Sequence, residues 1–175
     1  MNEFKNLLGN RFGALANAVS DLLQRDLIPT APVSNSQLSV LVILHSFPGA
    51  SIEDISQALD LSHSNLVRTV QQAQQTGILD KRPGKDNRSS ALYITSEGER
   101  ILADFYQKRE QQMQAVLAPL SADEQQTLTM LVNKLLTNFP NGKATDGRIC
   151  RYCEIDFCTR ADCPMHTDQD MLNPV

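Results

Sequence analysis

The side chains with most chemistry to offer lie in two groups. The first is a run of cysteines near the C-terminus, Cys150-x2-Cys153-x4-Cys158-x4-Cys163, with Pro164 and His166 just beyond. All four cysteines of the chain fall within these 14 residues. A Cys-x2-Cys pair presents two thiolates to one cation, and two more close by can complete a tetrahedral site. The expectation is one zinc per chain on Cys150, Cys153, Cys158 and Cys163, with Arg148, Arg151 and Arg160 offsetting the negative charge of four thiolates. Other readings stay open. The thiols could close to disulfides under oxidant. An iron–sulfur cluster is suggested by the proline after Cys163, although the x4 spacings depart from the usual ferredoxin run. The same segment could also be an unstructured, reduced tail.

The second group is basic and hydrogen-bonding. Ser62, His63, Ser64, Asn65 and Arg68 form one cluster, and Lys85, Asp86 and Arg88 another. Lys and Arg number 16 against 20 Asp and Glu, a net charge of -4 that by itself argues against a polyanionic partner. Between Leu61 and Ser90, however, five basic residues face two acidic ones, so that stretch is +3 and the remainder -7. Attraction to phosphate depends on charge within about 8–10 Å at ordinary salt, so the local excess counts for more than the total. Ser and Asn can bond base edges or phosphate, and Arg can fork onto guanine.

Something must position these side chains. Ile52, Ile55 and Leu59 recur at spacings of three and four, the period of a helix face. Ser51 with Asp54 reads as its capping box. Asp60-Leu61 is too short for anything but a turn. Ser62 then caps a second helix that buries Leu66, Val67, Val70 and Ala73 and stops at Gly77. Two helices joined by so tight a turn are a helix-turn-helix, the second being the candidate reader of double-stranded DNA. Ile78-Leu79 and Ala91 to Ile94 are short apolar runs of strand type flanking the turn-rich Pro83 to Arg88. They make a hairpin wing whose tip, with Lys85 and Arg88, would enter or flank the minor groove.

The remaining helices frame this unit. Residues 4–27 carry a stripe of Phe12, Leu15, Val19 and Leu22, and Ser36 to Phe47 is apolar nearly all round, as a buried helix should be. His45, at its end, reads as a packed or C-terminal histidine rather than a ligand. Ser96 to Glu99 reads as a capping box opening a long helix with Ile101, Leu102, Phe105, Met113, Val116 and Leu117 on one side. Pro119 ends it. Ser121 to Glu124 opens a last helix bearing Leu128, Leu131, Val132, Leu135 and Leu136. Three long apolar stripes exceed what one winged helix needs, and a second copy of the chain would bury them. An intramolecular bundle is the alternative.

The fold expected is therefore mainly α with a small β-hairpin wing, a winged helix-turn-helix flanked by long dimerisation helices. Its parts would be an N-terminal helix (1–33), the winged unit (34–95), two C-terminal helices (96–139) and a linker with the Cys-rich tail (140–175). This order resembles the MarR family of bacterial transcription regulators. The wing of that family carries an Asp-x-Arg pattern, matched by Asp86-Asn87-Arg88, and its second strand enters a Leu-x-Ile-Thr-x-x-Gly segment, matched by Leu92, Ile94, Thr95 and Gly98. The resemblance covers about Phe4 to Phe139. It implies a homodimer built from the first and last two helices, with Arg88 reading DNA and Asp86 holding it by an ion pair. It also implies a repressor released by a small molecule, a metal or a redox signal. The Cys-rich tail lies outside the ordinary family pattern.

Composition sets bounds on this. With 5% aromatics, no Trp and no apolar run near the ~20 residues of a membrane span, a cytoplasmic protein is expected, without membrane attachment. Two rivals belong to other classes. A redox or metal-handling enzyme would need acid–base partners, but His45, His63 and His166 fall in three different elements. A winged helix serving protein interaction would not need a basic wing.

Overall fold

The computed structural model describes residues 2–26, 33–84, 90–139 and 146–154. Helix α1 (Asn2–Asp21) runs into a π-helical turn (Leu22–Asp26). Helix α2 (Asn35–Ser46) follows, then α3 (Ile52–Leu59) and α4 (His63–Gln75). A two-stranded antiparallel hairpin, β1 (Leu79–Pro83) and β2 (Ser90–Ile94), leads into α5 (Ser96–Leu117) and α6 (Ala122–Thr137). A single turn, α7 (Asp146–Ile149), closes the described chain.

Local chemistry sets most of these boundaries. Ser34 with Gln37, Ser51 with Asp54 and Ser121 with Glu124 each form a reciprocal capping box, in which both partners satisfy backbone N–H groups that a helix start leaves open. Gly77 ends α4 at φ 74, and the next amide, on Ile78, donates back to the Ala73 carbonyl (3.0 Å). Asp60 is the non-glycine residue with positive φ (51) among the described residues, and it forms the turn between α3 and α4. There the Leu61 amide donates to the Ser56 carbonyl (3.1 Å) and the Ser56 hydroxyl to the Leu61 carbonyl (2.7 Å).

The core belongs to the winged unit. Leu38, Val40 to Leu44, Ile55, Leu66, Val70, Ile78, Leu92, Leu102 and Phe105 are buried in one cluster, which makes α2 the central helix its all-round apolar sequence calls for. The hairpin is sealed on its other edge by backbone: Gly49 N–H donates to the Leu92 carbonyl (2.8 Å) and Leu92 N–H to the Ala50 carbonyl (3.1 Å). The long helices differ. Helix α6 buries none of its residues, and Leu7, Leu8, Phe12 and Leu15 of α1 are exposed. Only the first half of α5 is buried, at Gly98, Ile101, Leu102, Phe105 and Tyr106. Among the described residues these helices do not pack together as an intramolecular bundle.

Two sequence expectations need correction. Helix α5 is capped by Thr95, not by a box from Ser96 to Glu99. The Thr95 hydroxyl accepts from the Gly98 amide (3.2 Å) and donates across the hairpin to the Gly77 carbonyl (2.7 Å), a double role that Ser96 could not fill. Glu99 instead faces His45, with Nδ1 and Oε2 2.9 Å apart, so this histidine joins α2 to α5. The second concerns Gly147, which by composition ends a linker running from Pro140. It lies in α7, packed on the Ala58 carbonyl of α3 so closely that a Cβ would overlap it.

Candidate nucleic-acid interface

Ser62, His63, Ser64, Asn65 and Arg68 come together on one exposed surface at the start of α4. The cluster is organised from within. The Ser62 hydroxyl accepts from the Asn65 amide (3.4 Å), capping the helix, and the Arg68 guanidinium donates to Asn65 Oδ1 (3.1 Å). His63 Nδ1 lies 3.6 Å from Glu53 Oε2, which ties the start of α4 to α3. Behind this surface Leu66, Thr69, Val70 and Ala73 are buried, so the exposed face is fixed by the packing of the opposite one. A helix N-terminus so exposed offers unpaired N–H groups and a positive dipole end to a phosphate.

The polar face is longer than the motif suggested. Gln71, Gln72 and Gln75, three, four and seven residues beyond Arg68, are also exposed. Their amides can pair with base edges as readily as Asn65. The signal was available, because Leu66, Val70 and Ala73 define by helical period which residues must face outward.

On the wing, Leu79 pairs with Ile94 and Pro83 with Ser90. Lys81 and Arg82 of β1 are exposed. The Arg82 guanidinium lies 4.4 Å from the Tyr93 ring centroid and 3.5 Å from Asp80, so it braces the wing stem. Lys85, Asp86 and Arg88 lie outside the described residues.

Gly98 explains the Leu-x-Ile-Thr-x-x-Gly pattern physically. The first turn of α5 presses on the backbone of Ile78, where a Cβ would collide with the Ile78 carbonyl. The pattern therefore locks wing to stem.

The comparisons with known proteins agree with this geometry. Residues 31–89 match the MarR family. The putative transcriptional regulatory protein for the hcr operon of Thauera aromatica is 30% identical over 113 residues, covering 63% of this chain and 68% of that protein. This chain belongs to the MarR family. It is a DNA-binding transcription regulator of the winged helix-turn-helix type. The crystal structure of the PcaV transcriptional regulator of Streptomyces coelicolor is similar at a TM-score of 0.55 and 28% identity, covering 70% of this chain and 93% of that one. Apo MarR of E. coli shares the fold at a TM-score of 0.63 and 22% identity, over 73% and 95% of the two chains.

The cysteine segment is described as far as Glu154. Cys158 and Cys163 lie outside the described residues. Among the described residues no three His, Cys, Asp or Glu side chains converge as a metal site. Cys150 is buried, Cys153 half-buried, and neither forms a disulfide. They sit on one turn, closed by the Cys153 amide donating to the Cys150 carbonyl (2.8 Å). A hydrogen bond from the Cys150 thiol lowers the Cys153 pKa to about 6; burial opposes the shift and the Arg109 guanidinium assists it. The Nε of Arg109 is buried without a hydrogen-bond partner. Arg148, one of the three arginines expected to offset the thiolates, lies in α7. It pairs with Asp60 (3.0 Å), while Arg151 donates to the Arg148 carbonyl and stacks on Tyr152.

Proposed function

We propose that this MarR-family chain binds its operator as a homodimer and represses transcription until an effector lowers its affinity. The observation that supports the reading most strongly is the exposed, internally braced surface from Ser62 to Arg68, raised at a capped helix start beside a basic wing. In the duplex the face of α4 would lie in the major groove, with Asn65 and Arg68 at base edges and Ser62, His63 and Ser64 near phosphates. Lys85 and Arg88 would reach the adjacent minor groove, Asp86 holding Arg88 in position. The exposed stripes of α1 and α6 would meet those of a second copy, since apolar surface of that extent is buried in a stable soluble protein. A small-molecule effector is consistent with PcaV, which has been crystallised in complex with its natural ligand. The chain would act by binding, not by catalysis. No helix among the described residues is long and apolar enough to cross a membrane, and we place the protein in the cytoplasm.

For the tail we propose one zinc per chain on Cys150, Cys153, Cys158 and Cys163. The Cys150–Cys153 turn fits such a role: its two thiols meet, and one is poised as a thiolate, the form that binds metal. Bound zinc would fix a segment that has little core of its own.

The test of the central reading is an electrophoretic mobility shift on the DNA upstream of the protein's own gene. Retarded bands that resist excess unrelated duplex are expected. Equal competition by unrelated DNA would remove the sequence-specific reading, and no shift at low salt would remove DNA binding.

A further inference from the structure

The turn between α3 and α4 carries a negative charge where a DNA-binding protein can least use one. Asp60 makes that turn with its left-handed backbone, and its side chain is 63% exposed. It precedes Ser62, the cap of α4, by two residues, a reach of at most about 7 Å along the chain. That is inside the distance of about 8–10 Å over which charges act at ordinary salt. A bare carboxylate there would repel the phosphates that the start of α4 is built to meet. It is not bare: Arg148 Nη1 lies 3.0 Å from Asp60 Oδ2. An ion pair this exposed adds little to stability, so its main consequence is for the field that DNA meets.

Arg148 is held in place from two sides. Next to it Gly147 lies against the Ala58 carbonyl of α3, leaving no room for a Cβ. Beyond it Tyr152 packs on the core residue Phe105 with ring centroids 5.9 Å apart, and the Tyr106 hydroxyl donates to the Cys153 carbonyl (3.3 Å). The tail thus reaches from the core of the winged unit to the turn that aims its exposed helix.

We propose that residues 146–154 are a working part of the DNA-binding unit, in which α7 docked on α3 raises operator affinity by masking Asp60 and bracing the turn. The inference rests on the reading of α4 as the operator-contacting helix. Arg148 is a positioning residue, acting through Asp60 and not on the duplex. Linkage makes the effect reciprocal: if docking favours operator binding, the operator must favour docking by the same factor.

The experiment uses the full-length protein and the upstream duplex. It reads operator Kd, its salt dependence, and hydrogen exchange over residues 55–62 and 147–154 with and without duplex. In wild type the duplex should slow exchange in both stretches. Gly147→Ala changes no charge but should lift α7 from α3, quickening exchange over 55–62 and weakening binding by about fivefold, the lower range for coupled sites. Arg148→Ala should weaken binding similarly, with a salt dependence shallower by about one unit, and Arg148→Lys should recover most of both. In an Asp60→Asn background, whose Asn tolerates the left-handed turn, Arg148→Ala should lose most of its effect. A direct phosphate contact would not cancel in this way. Wild-type affinity in either Gly147→Ala or Arg148→Ala would overturn the proposal, as would an Arg148→Ala loss undiminished by Asp60→Asn. If wild type does not bind the duplex, the reading of α4 fails on its own, and the free protein still decides the docking: exchange over 55–62 unchanged by Gly147→Ala would refute it.

Discussion

Leu66 and Leu131 are the same residue in helices of similar period, yet Leu66 is fully buried and Leu131 is 53% exposed. The winged unit closes its apolar pattern within one chain, with α2 at the centre and α3, α4, the hairpin and the start of α5 around it. The stem does not: α6 has caps and an apolar stripe that no other described residue buries. One periodic signal therefore has two destinations, and the sequence alone does not say which. What separates them is whether other elements of the same chain pack over the stripe.

The largest expected effect tests the closed half. Leu66→Ala should cost about 2–5 kcal/mol of stability, because it opens a cavity in a core with no room to relax. Denaturant unfolding followed by circular dichroism measures it, and a loss below about 1 kcal/mol would mean the core is looser than its burial implies. Leu131→Asp tests the open half. It should leave helix content intact but weaken self-association by about 3 kcal/mol, roughly a hundredfold in Kd, since it places a carboxylate in an apolar interface. Sedimentation at several concentrations reads that change, and unaltered association would move the interface away from α6.

Arg88→Ala separates recognition from both halves. Operator binding should weaken by about 1–3 kcal/mol, with a salt dependence shallower by about one unit and no change in stability or association. Asp86→Ala should weaken binding too, although it removes a negative charge; tighter binding instead would refute its positioning role. The smallest effect is at Ser121, where substitution by Ala removes the α6 cap and should cost about 1 kcal/mol. If thermal unfolding of the protein did not register it, α6 would be fraying independently of the rest.

Much of the winged unit was legible because its signals are local. The Ser51–Asp54 box, the Ser62 cap and the Gly77 stop each depend on residues within a few positions. What escaped depends on partners far along the chain. Thr95 takes the α5 cap because Gly77 lies across the hairpin, and Glu99 is drawn away by His45, 54 residues distant. The cysteines of the tail stand out by their spacing, whereas its anchoring by Gly147, Arg148 and Tyr152 depends on Ala58, Asp60 and Phe105. No period or spacing within the tail could name those residues. On the exposed face of α4 the opposite held: the exposed run of Gln71, Gln72 and Gln75 follows from the same helical period that named the core.

The uncovered stem helices are expected to meet a second copy of the chain. Sedimentation velocity of the full-length protein at micromolar concentration measures this without reference to ligand or operator. A single species at twice the 19.4 kDa chain mass is predicted. A monomer that stays folded and soluble at that concentration would contradict it.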